Sequence, residues 1–368
     1  MSKVDMAFIG GRGLFSNYGG VENAIREIAL EVSKKSENII VYGASNEDEN
    51  VFSLPQNLTR VDCPLWIYQK LGQHGLILFC VLHALFVGRP KVVYLFASGP
   101  CIFTPFLRLG GIKVITSLRA VDSARDKWGK VSQKILQMGE YCSWRFSNAF
   151  TVNSKEMVEI YAPRRSDVKF IPNGAKGIET KGEGRLNELG LTAHSYFLFA
   201  ARLDPVKRLH VLLEAHSKLP KETRPPLVVA GGHVKDKQYE QKLIGMAAPD
   251  VIFVGHISKI DLDPLMAHCR AFILPSVLEG MSNSILSAMA AGKPVLAADV
   301  PANSDLVAIR DALFTADDAI ELQDKLAVLS TDNEFCATLG AKLKERAKTE
   351  YSWSITSEKF YQLSKSFG

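Results

Sequence analysis

Short β-branched or aromatic runs alternate with amphipathic stretches twice along this chain, and that double alternation constrains its fold more than any other feature. Strands laid parallel must be joined by crossovers, usually helices, so such alternation reads as a parallel sheet covered on both faces. The first series runs through Met6–Ile9, Ile39–Tyr42, Val92–Phe96, Lys113–Ser117, Ala149–Val152 and Val168–Ile171, with helical patterns over Glu22–Lys34 and Lys130–Ser147. The second runs through Tyr196–Ala200, Leu227–Ala230, Val251–Val254, Ala271–Leu274 and Pro294–Ala297. A chain of 368 residues is too long for one ordinary core. The expectation is therefore an α/β protein of two doubly wound, Rossmann-like parallel-sheet domains, residues 1–172 and 191–350, whose strand ends line a cleft. Residues 173–190, rich in Gly, Asn and charge, read as the linker, and residues 351–368 as an aromatic helix packing across the domain boundary.

Hydrophobic residues at 47% and charged residues at 23% exclude a disordered, collagenous or coiled-coil chain. The net charge of +5 is unevenly spread. Residues 1–172 carry 21 Lys and Arg against 15 Asp and Glu, and residues 91–134 alone carry 8 against 2. That segment favours an anionic partner. Six scattered cysteines without a C-x-x-C pair read as small apolar residues in a reducing compartment. The longest apolar run, Leu76–Gly88, has 13 residues and falls short of the roughly 20 that a spanning helix needs. The opening MSKVDMAFIGG is too weakly apolar for a signal peptide, so the expected place is the cytoplasm.

Three strings carry chemistry. Gly10-Gly11-Arg12-Gly13 follows the first strand, and the loop continues through Tyr18 to Gly19-Gly20 and Glu22. It lacks the third glycine of a dinucleotide fingerprint, so a nicotinamide enzyme is disfavoured and a longer, substrate-facing loop is expected. Arg202 and Lys207 lie five residues apart just after a strand, a spacing that lets a bidentate guanidinium and a mobile ammonium converge on one diphosphate. The stretch from Pro275 to Pro294 ends a strand, turns at Glu279-Gly280 and opens a small-residue helix near Ser282 or Asn283. Free N–H groups at such a helix start receive phosphate or sugar oxygens.

These strings, in this order, resemble the GT-B retaining glycosyltransferases of family 4 over nearly the whole chain. The opening Gly-Gly-Arg-Gly…Tyr-Gly-Gly-Val-Glu and the stretch Asp122…Arg125-Asp126-Lys127-Trp128-Gly129 are similar to bacterial rhamnosyltransferases of surface-polysaccharide assembly. The resemblance implies a metal-independent hexosyltransferase that moves rhamnose from dTDP-rhamnose onto a lipid-linked or growing polysaccharide of lipopolysaccharide or capsule type. It implies Arg202 and Lys207 at the donor diphosphate and Glu279 at the donor-sugar hydroxyls, all three in catalytic roles with Asp122. Gly280, Met281, Ser282, Asn283 and Ser287 complete the donor side, with Gly255, His256 and Ile257 at the nucleobase. On the acceptor side it implies Gly11, Arg12, Gly13, Tyr18, Gly19, Gly20, Arg119 and Arg125. It implies no cofactor and no metal, the nucleotide sugar being a substrate. Domain closure is expected to bring Asp122 near the donor.

Three positions depart from the family pattern. Ser287 stands where a second Glu normally holds the ribose hydroxyls, Ala201 replaces a glycine before the phosphate-binding Arg, and Arg119 stands where many relatives carry His. A deoxyribose donor would miss that Glu less. The alternatives are a UDP-hexose or UDP-N-acetylhexosamine donor and a non-catalytic partner of a glycosyltransferase complex. Asp261-Leu262-Asp263 spells a D-x-D metal clamp but precedes Pro264 and an apolar helix, so it reads as a helix cap. The basic segment beside Leu65-Trp66-Ile67-Tyr68 and Leu76–Val87 suits either a peripheral contact with an anionic membrane or a solvated helix beside a core. No nucleic-acid motif accompanies the charge.

Overall fold

The computed structural model describes residues 4–13, 19–35, 37–44, 53–120, 130–178, 184–232 and 236–367. The chain divides into two compact units, Met1–Gly174 with Trp353–Gly368, and Ala175–Ser352.

Among the described residues the first unit holds a sheet of seven parallel strands: β1 (Met6–Ile9), β2 (Ile39–Ala44), β3 (Leu58–Cys63), β4 (Val92–Phe96), β5 (Lys113–Leu118), β6 (Ala149–Val152) and β7 (Lys169–Phe170). Their order is β3-β2-β1-β4-β5-β6-β7. Side chains alternate along each strand, so every strand feeds two cores. Met6, Phe8, Tyr94, Phe96 and Ile115 pack on one face, under the helices Gly20–Ser33 and Trp353–Lys365. Ala7, Ile9, Val93, Leu95 and Val114 pack on the other, under Leu65–His83, Thr104–Leu109 and their neighbours. The strand β3 escapes prediction because Leu58-Thr59-Arg60-Val61-Asp62-Cys63 sits at a sheet edge, where charged residues are the norm.

The terminal helix is part of this first unit. Its Phe360 is fully buried, and Trp353 and Leu363 are nearly so, each worth about 1.5–3 kcal/mol of apolar burial. Tyr94 donates its hydroxyl proton to the Phe360 carbonyl at 2.6 Å, and Thr356 bonds the Pro172 carbonyl at 3.2 Å. The unit boundary thus falls between Ser352 and Trp353, two residues later than the sequence places the start of the helix.

The expectation of a 13-residue apolar run is also revised. The helix Leu65–His83 continues into a turn of wider helix, Ala84–Gly88, so the apolar segment spans 24 residues and is long and apolar enough to cross a membrane by length and composition. Polar residues near its start hide this length in the sequence. Gly72, at φ 56° and ψ −141°, breaks its regularity.

Among the described residues the second unit holds a sheet of six parallel strands: β8 (Phe197–Ala200), β9 (Leu227–Ala230), β10 (Val251–Gly255), β11 (Ala271–Leu274), β12 (Val295–Ala298) and β13 (Leu313–Phe314). Their order is β10-β9-β8-β11-β12-β13. The two-residue β13 is too short to give a periodic signal. One contiguous core fills both faces of this sheet. Side-chain caps open its helices: Asp236, Ser258, Ser282 and Asp318 each accept a backbone N–H of the first turn.

Candidate functional site

In a doubly wound sheet the crossovers diverge where the strand order reverses, and a crevice opens there beyond the carboxyl ends of the strands. In the second unit the reversal lies between β8 and β11. The loop after β8 carries Arg202, and a single 3-10 turn, Pro205–Lys207, follows it. The loop after β11 carries Glu279 and runs into the helix Asn283–Ala290. Backbone and buried polar groups join these loops. Val277 donates its N–H to the Val206 carbonyl at 3.0 Å. The fully buried Ser276 hydroxyl lies within reach of the Val206 and Leu278 carbonyls at 3.4 and 3.3 Å. Asn303 Nδ2 in turn donates to the Ser276 and Ala298 carbonyls at 3.2 and 3.0 Å.

That joining brings Lys207 to Glu279. Nζ lies 2.6 Å from Oε1, with the side chains only 14% and 11% exposed. An ammonium has three donors and a carboxylate two acceptor oxygens, so the pair still offers N–H groups to an oxyanion and an oxygen to a hydroxyl. Arg202 is 52% exposed and 3.3 Å from Asp204 Oδ2. The helix start behind Glu279 is capped by Ser282, whose Oγ accepts the Ile285 N–H at 3.3 Å. Its peptide dipoles turn positive charge toward the same loop. Gly280, Met281 and Asn283 are half-buried there, and Ser287 sits half-buried one turn into the helix.

The loops after β8, β9 and β10 approach one another closely at Gly231 and Gly232. Gly231 donates its N–H to the Gly255 carbonyl at 2.9 Å, and a Cβ on Gly231 would stand 2.3 Å from the Ala201 carbonyl oxygen. Any side chain there forces the Arg202 loop away. The candidate nucleobase stretch follows directly, with Gly255 and His256 exposed and Ile257 half-buried. Sequence reading missed Gly231, Ser276 and Asn303, whose roles depend on contacts distant in sequence. A glycine pair closing β9 was the one available signal.

Asp261 and Asp263 belong to a helix start, as their sequence context suggests, although Ser258 rather than Asp261 is the cap. Ser258 Oγ accepts the Asp261 N–H at 3.3 Å and donates to Asp261 Oδ2 at 2.8 Å, while Asp263 pairs with Lys259 at 2.6 Å. Among the described residues no group of three or more His, Cys, Asp and Glu side chains is placed to hold a metal ion.

In the first unit the strand order reverses between β1 and β4, which places the Gly10–Gly13 loop at the corresponding edge. Its glycines serve close packing within the unit, a structural use beside the ligand approach expected from sequence. A Cβ on Gly11, which has φ 66°, would stand 2.8 Å from the Glu22 carboxyl carbon. Glu22 is 5% exposed, and its Oε1 accepts the Arg12 N–H at 3.1 Å, so this carboxylate shapes the loop. Arg12 is half-buried, and Gly19 and Gly20 are exposed at the helix start.

Arg119 directly follows β5 but turns into the core. Its guanidinium lies 5.0 Å from the Phe96 ring centre and 5.4 Å from that of Phe360, and Nη1 donates to Asn173 Oδ1 at 2.6 Å. Burial lowers its pKa to about 9. It thus has a structural use beneath the terminal helix, beside the acceptor-side place that the resemblance implies. Tyr18, Asp122 and Arg125 lie outside the described residues.

Comparison with known proteins adds to this geometry. Residues 194–332, which contain Arg202, Lys207 and Glu279, match the family "Glycosyl transferases group 1". That likeness covers less than half of the chain and lies wholly within the second unit. The O-antigen chain mannosyltransferase B of Escherichia coli is 32% identical over 136 residues, 36% of this chain and 35% of that protein. The serotype-specific mannosyltransferase WbdA of Escherichia coli is 30% identical over 169 residues, 44% of this chain and 20% of that protein. The chain therefore spans only about a fifth to a third of these relatives. Over the full fold it is similar to Anabaena Alr3699/HepE, whose structure contains UDP and glucose. There the TM-score is 0.78 at 19% identity, covering 99% of this chain and 100% of that one. The two parallel-sheet units are thus those of the GT-B fold.

Proposed function

We propose that this protein transfers a sugar from a nucleotide donor to a growing bacterial surface polysaccharide, with retention of configuration and without a metal. The observation that carries the reading is the Lys207–Glu279 pair, held at the strand reversal beside a helix start and Arg202. A departing nucleoside diphosphate needs positive charge aimed where its own negative charge grows. Arg202, Lys207 and the amides opening Asn283–Ala290 supply it, while the second oxygen of Glu279 accepts from a donor-sugar hydroxyl. The donor diphosphate takes the acceptor's proton as the new glycosidic bond forms on the face it leaves. The reading draws support from the group 1 match and from a structural neighbour holding UDP and glucose.

For the donor we propose dTDP-rhamnose, on the resemblance of the opening glycine loop and the Asp122–Gly129 stretch to rhamnosyltransferases and on Ser287 in place of a ribose-binding Glu. A mannosyl donor is the second reading, favoured by the two mannosyltransferase relatives. The acceptor we propose is lipid-linked, met by a cytoplasmic protein at the inner membrane surface. The test is nucleotide release from dTDP-rhamnose, GDP-mannose, UDP-glucose, UDP-galactose and UDP-N-acetylglucosamine, with and without EDTA. Release confined to dTDP-rhamnose and unaffected by EDTA is the expected result. Release from GDP-mannose alone replaces the donor but keeps the reaction, and loss with EDTA removes the metal-free mechanism. Nucleotide release by wild type but not by Glu279→Ala excludes a non-catalytic scaffold; equal release by both overturns the role given to Glu279.

A further inference from the structure

One flank of the first unit is built unlike the rest of the surface. The helix Leu65–His83 buries Leu76, Cys80 and Val81 against the sheet yet leaves Leu78, Leu82 and Phe86 exposed in a row at intervals of four. Intervals of four keep side chains on one face of a helix. Beside it the helix Thr104–Leu109 exposes Phe106 and Leu109, and Lys130–Phe146 exposes Val131 and Met138. Phe86 is 75% exposed and Leu109 86%. The segments bearing them are neighbours, since a Cβ on Gly110 would stand 2.3 Å from Leu85 Cδ2. A contiguous apolar face on a soluble unit marks a surface that is covered in use.

Charge identifies the cover. From residue 63 to residue 121 the chain contains no Asp or Glu, while Lys70, Arg89, Lys91, Arg108, Lys113 and Arg119 all fall within that stretch. On the three helices of the flank the single acid among the described residues is Glu140, which is buried. Lys70, Arg108 and Lys134 are exposed among the apolar side chains. At the end of the row a recess of about 990 Å³ is lined by Val87, Arg89, Lys91 and Lys113, of which Lys91 is paired with Asp5 at 2.6 Å. A protein partner for an apolar patch needs no excess of one sign, whereas an anionic lipid surface rewards every Lys and Arg near it.

We infer that this flank of the first unit docks on a bilayer carrying anionic phospholipid. Leu78, Leu82, Phe86, Phe106 and Leu109 enter the interfacial layer, and Arg89 and Lys113 meet headgroup phosphates at the recess. The helix lies on the bilayer and does not span it. Though long enough to cross, Leu65–Gly88 is broken at Gly72 and a third of its apolar window is buried inside the unit. The biological sense rests on the lipid-linked acceptor proposed above, but the binding itself needs no nucleotide.

The test is flotation of the full chain with vesicles of phosphatidylcholine alone and of phosphatidylcholine mixed with phosphatidylglycerol, without donor. Wild type should float with the mixed vesicles only. Phe86→Glu combined with Leu109→Glu should abolish flotation at an unchanged melting temperature, since both side chains are exposed. Arg89→Gln combined with Lys113→Gln should lower partitioning about 30-fold. Three results overturn the inference: wild type staying soluble with mixed vesicles, equal binding to both vesicle types, or the Phe86→Glu, Leu109→Glu variant floating like wild type. Light scattering on the same samples identifies the rival occupant. A wild-type dimer made monomeric by those two substitutions, with no flotation, assigns the flank to a second copy of the chain. Donor turnover measured in solution reports separately, so failure of the docking leaves the transferase reading standing.

Discussion

At the scale of single residues, the Lys207–Glu279 contact does two jobs at once. Each side chain is largely buried, so removing one leaves the other's charge without its partner, at a cost of about 1–3 kcal/mol. Both also face the crevice where the departing diphosphate is proposed to sit. Lys207→Met and Glu279→Gln should therefore each destabilise the second unit in urea and lower donor turnover, the Lys change by roughly 100-fold. The double variant should recover part of the stability lost by either single change while recovering no activity. Additive stability losses would mean that the two groups do not feel each other in solution. Arg202 makes a useful contrast. At 52% exposed it can be removed with little effect on folding, so a loss of turnover in Arg202→Ala reports on chemistry alone.

At the scale of elements, His216 ties the helix Leu209–Ser217 to the chain entering β9. The side chain is fully buried, and Nε2 lies 2.8 Å from the Pro225 carbonyl, so Nε2 carries the proton of the neutral ring. Burial lowers its pKa below the ordinary histidine value, with the bond to Pro225 opposing the shift. A group protonated more readily unfolded than folded lets acid favour unfolding. Stability from this site is complete above about pH 6.5 and falls as pH drops toward the lowered folded value. His216→Gln keeps a donor for Pro225 and removes the titration, so its melting temperature should fall less than that of wild type between about pH 7 and about pH 5. An equal fall in both proteins would place the acid sensitivity elsewhere.

Elements are also where the sequence was most legible. Central strands such as Val92–Phe96 and Ala271–Leu274 are buried on both faces and announce themselves as unbroken apolar runs. The edge strand β3 and the short β13 lack that signature. The loops after β8 and β11 are legible as a candidate site because Arg202, Lys207 and Glu279 follow recognisable strand ends. The contacts that set those loops are not, because Ser276 to Val206 and Gly231 to Ala201 join residues 70 and 30 positions apart. Arg119 has a structural use that the sequence does not announce, since the rings of Phe96 and Phe360 that surround its guanidinium come from distant positions.

At the scale of the whole molecule, the first unit is discontinuous, since Trp353–Lys365 supplies buried side chains to a core begun by β1. Deleting residues 353–368 should strip Trp353, Phe360 and Leu363 from that core while leaving the hydrogen bonds and core of Ala175–Ser352 intact. Calorimetry of the shortened chain should show the transition of the first unit lost or lowered by well over 10 °C, since such burial is worth several kcal/mol, with the second nearly unmoved. A uniform downward shift of a single transition would mean that the two units unfold as one.

The same discontinuity sets an order of events during synthesis. Domains usually fold in the order in which they leave the ribosome. Here residues 353–368 are translated after every residue of the second unit, so the first unit to emerge is the last that can finish its core. Until then its sheet face beside Tyr94 and Phe96 waits uncovered, and a nascent chain paused near residue 352 would expose that face to chaperones.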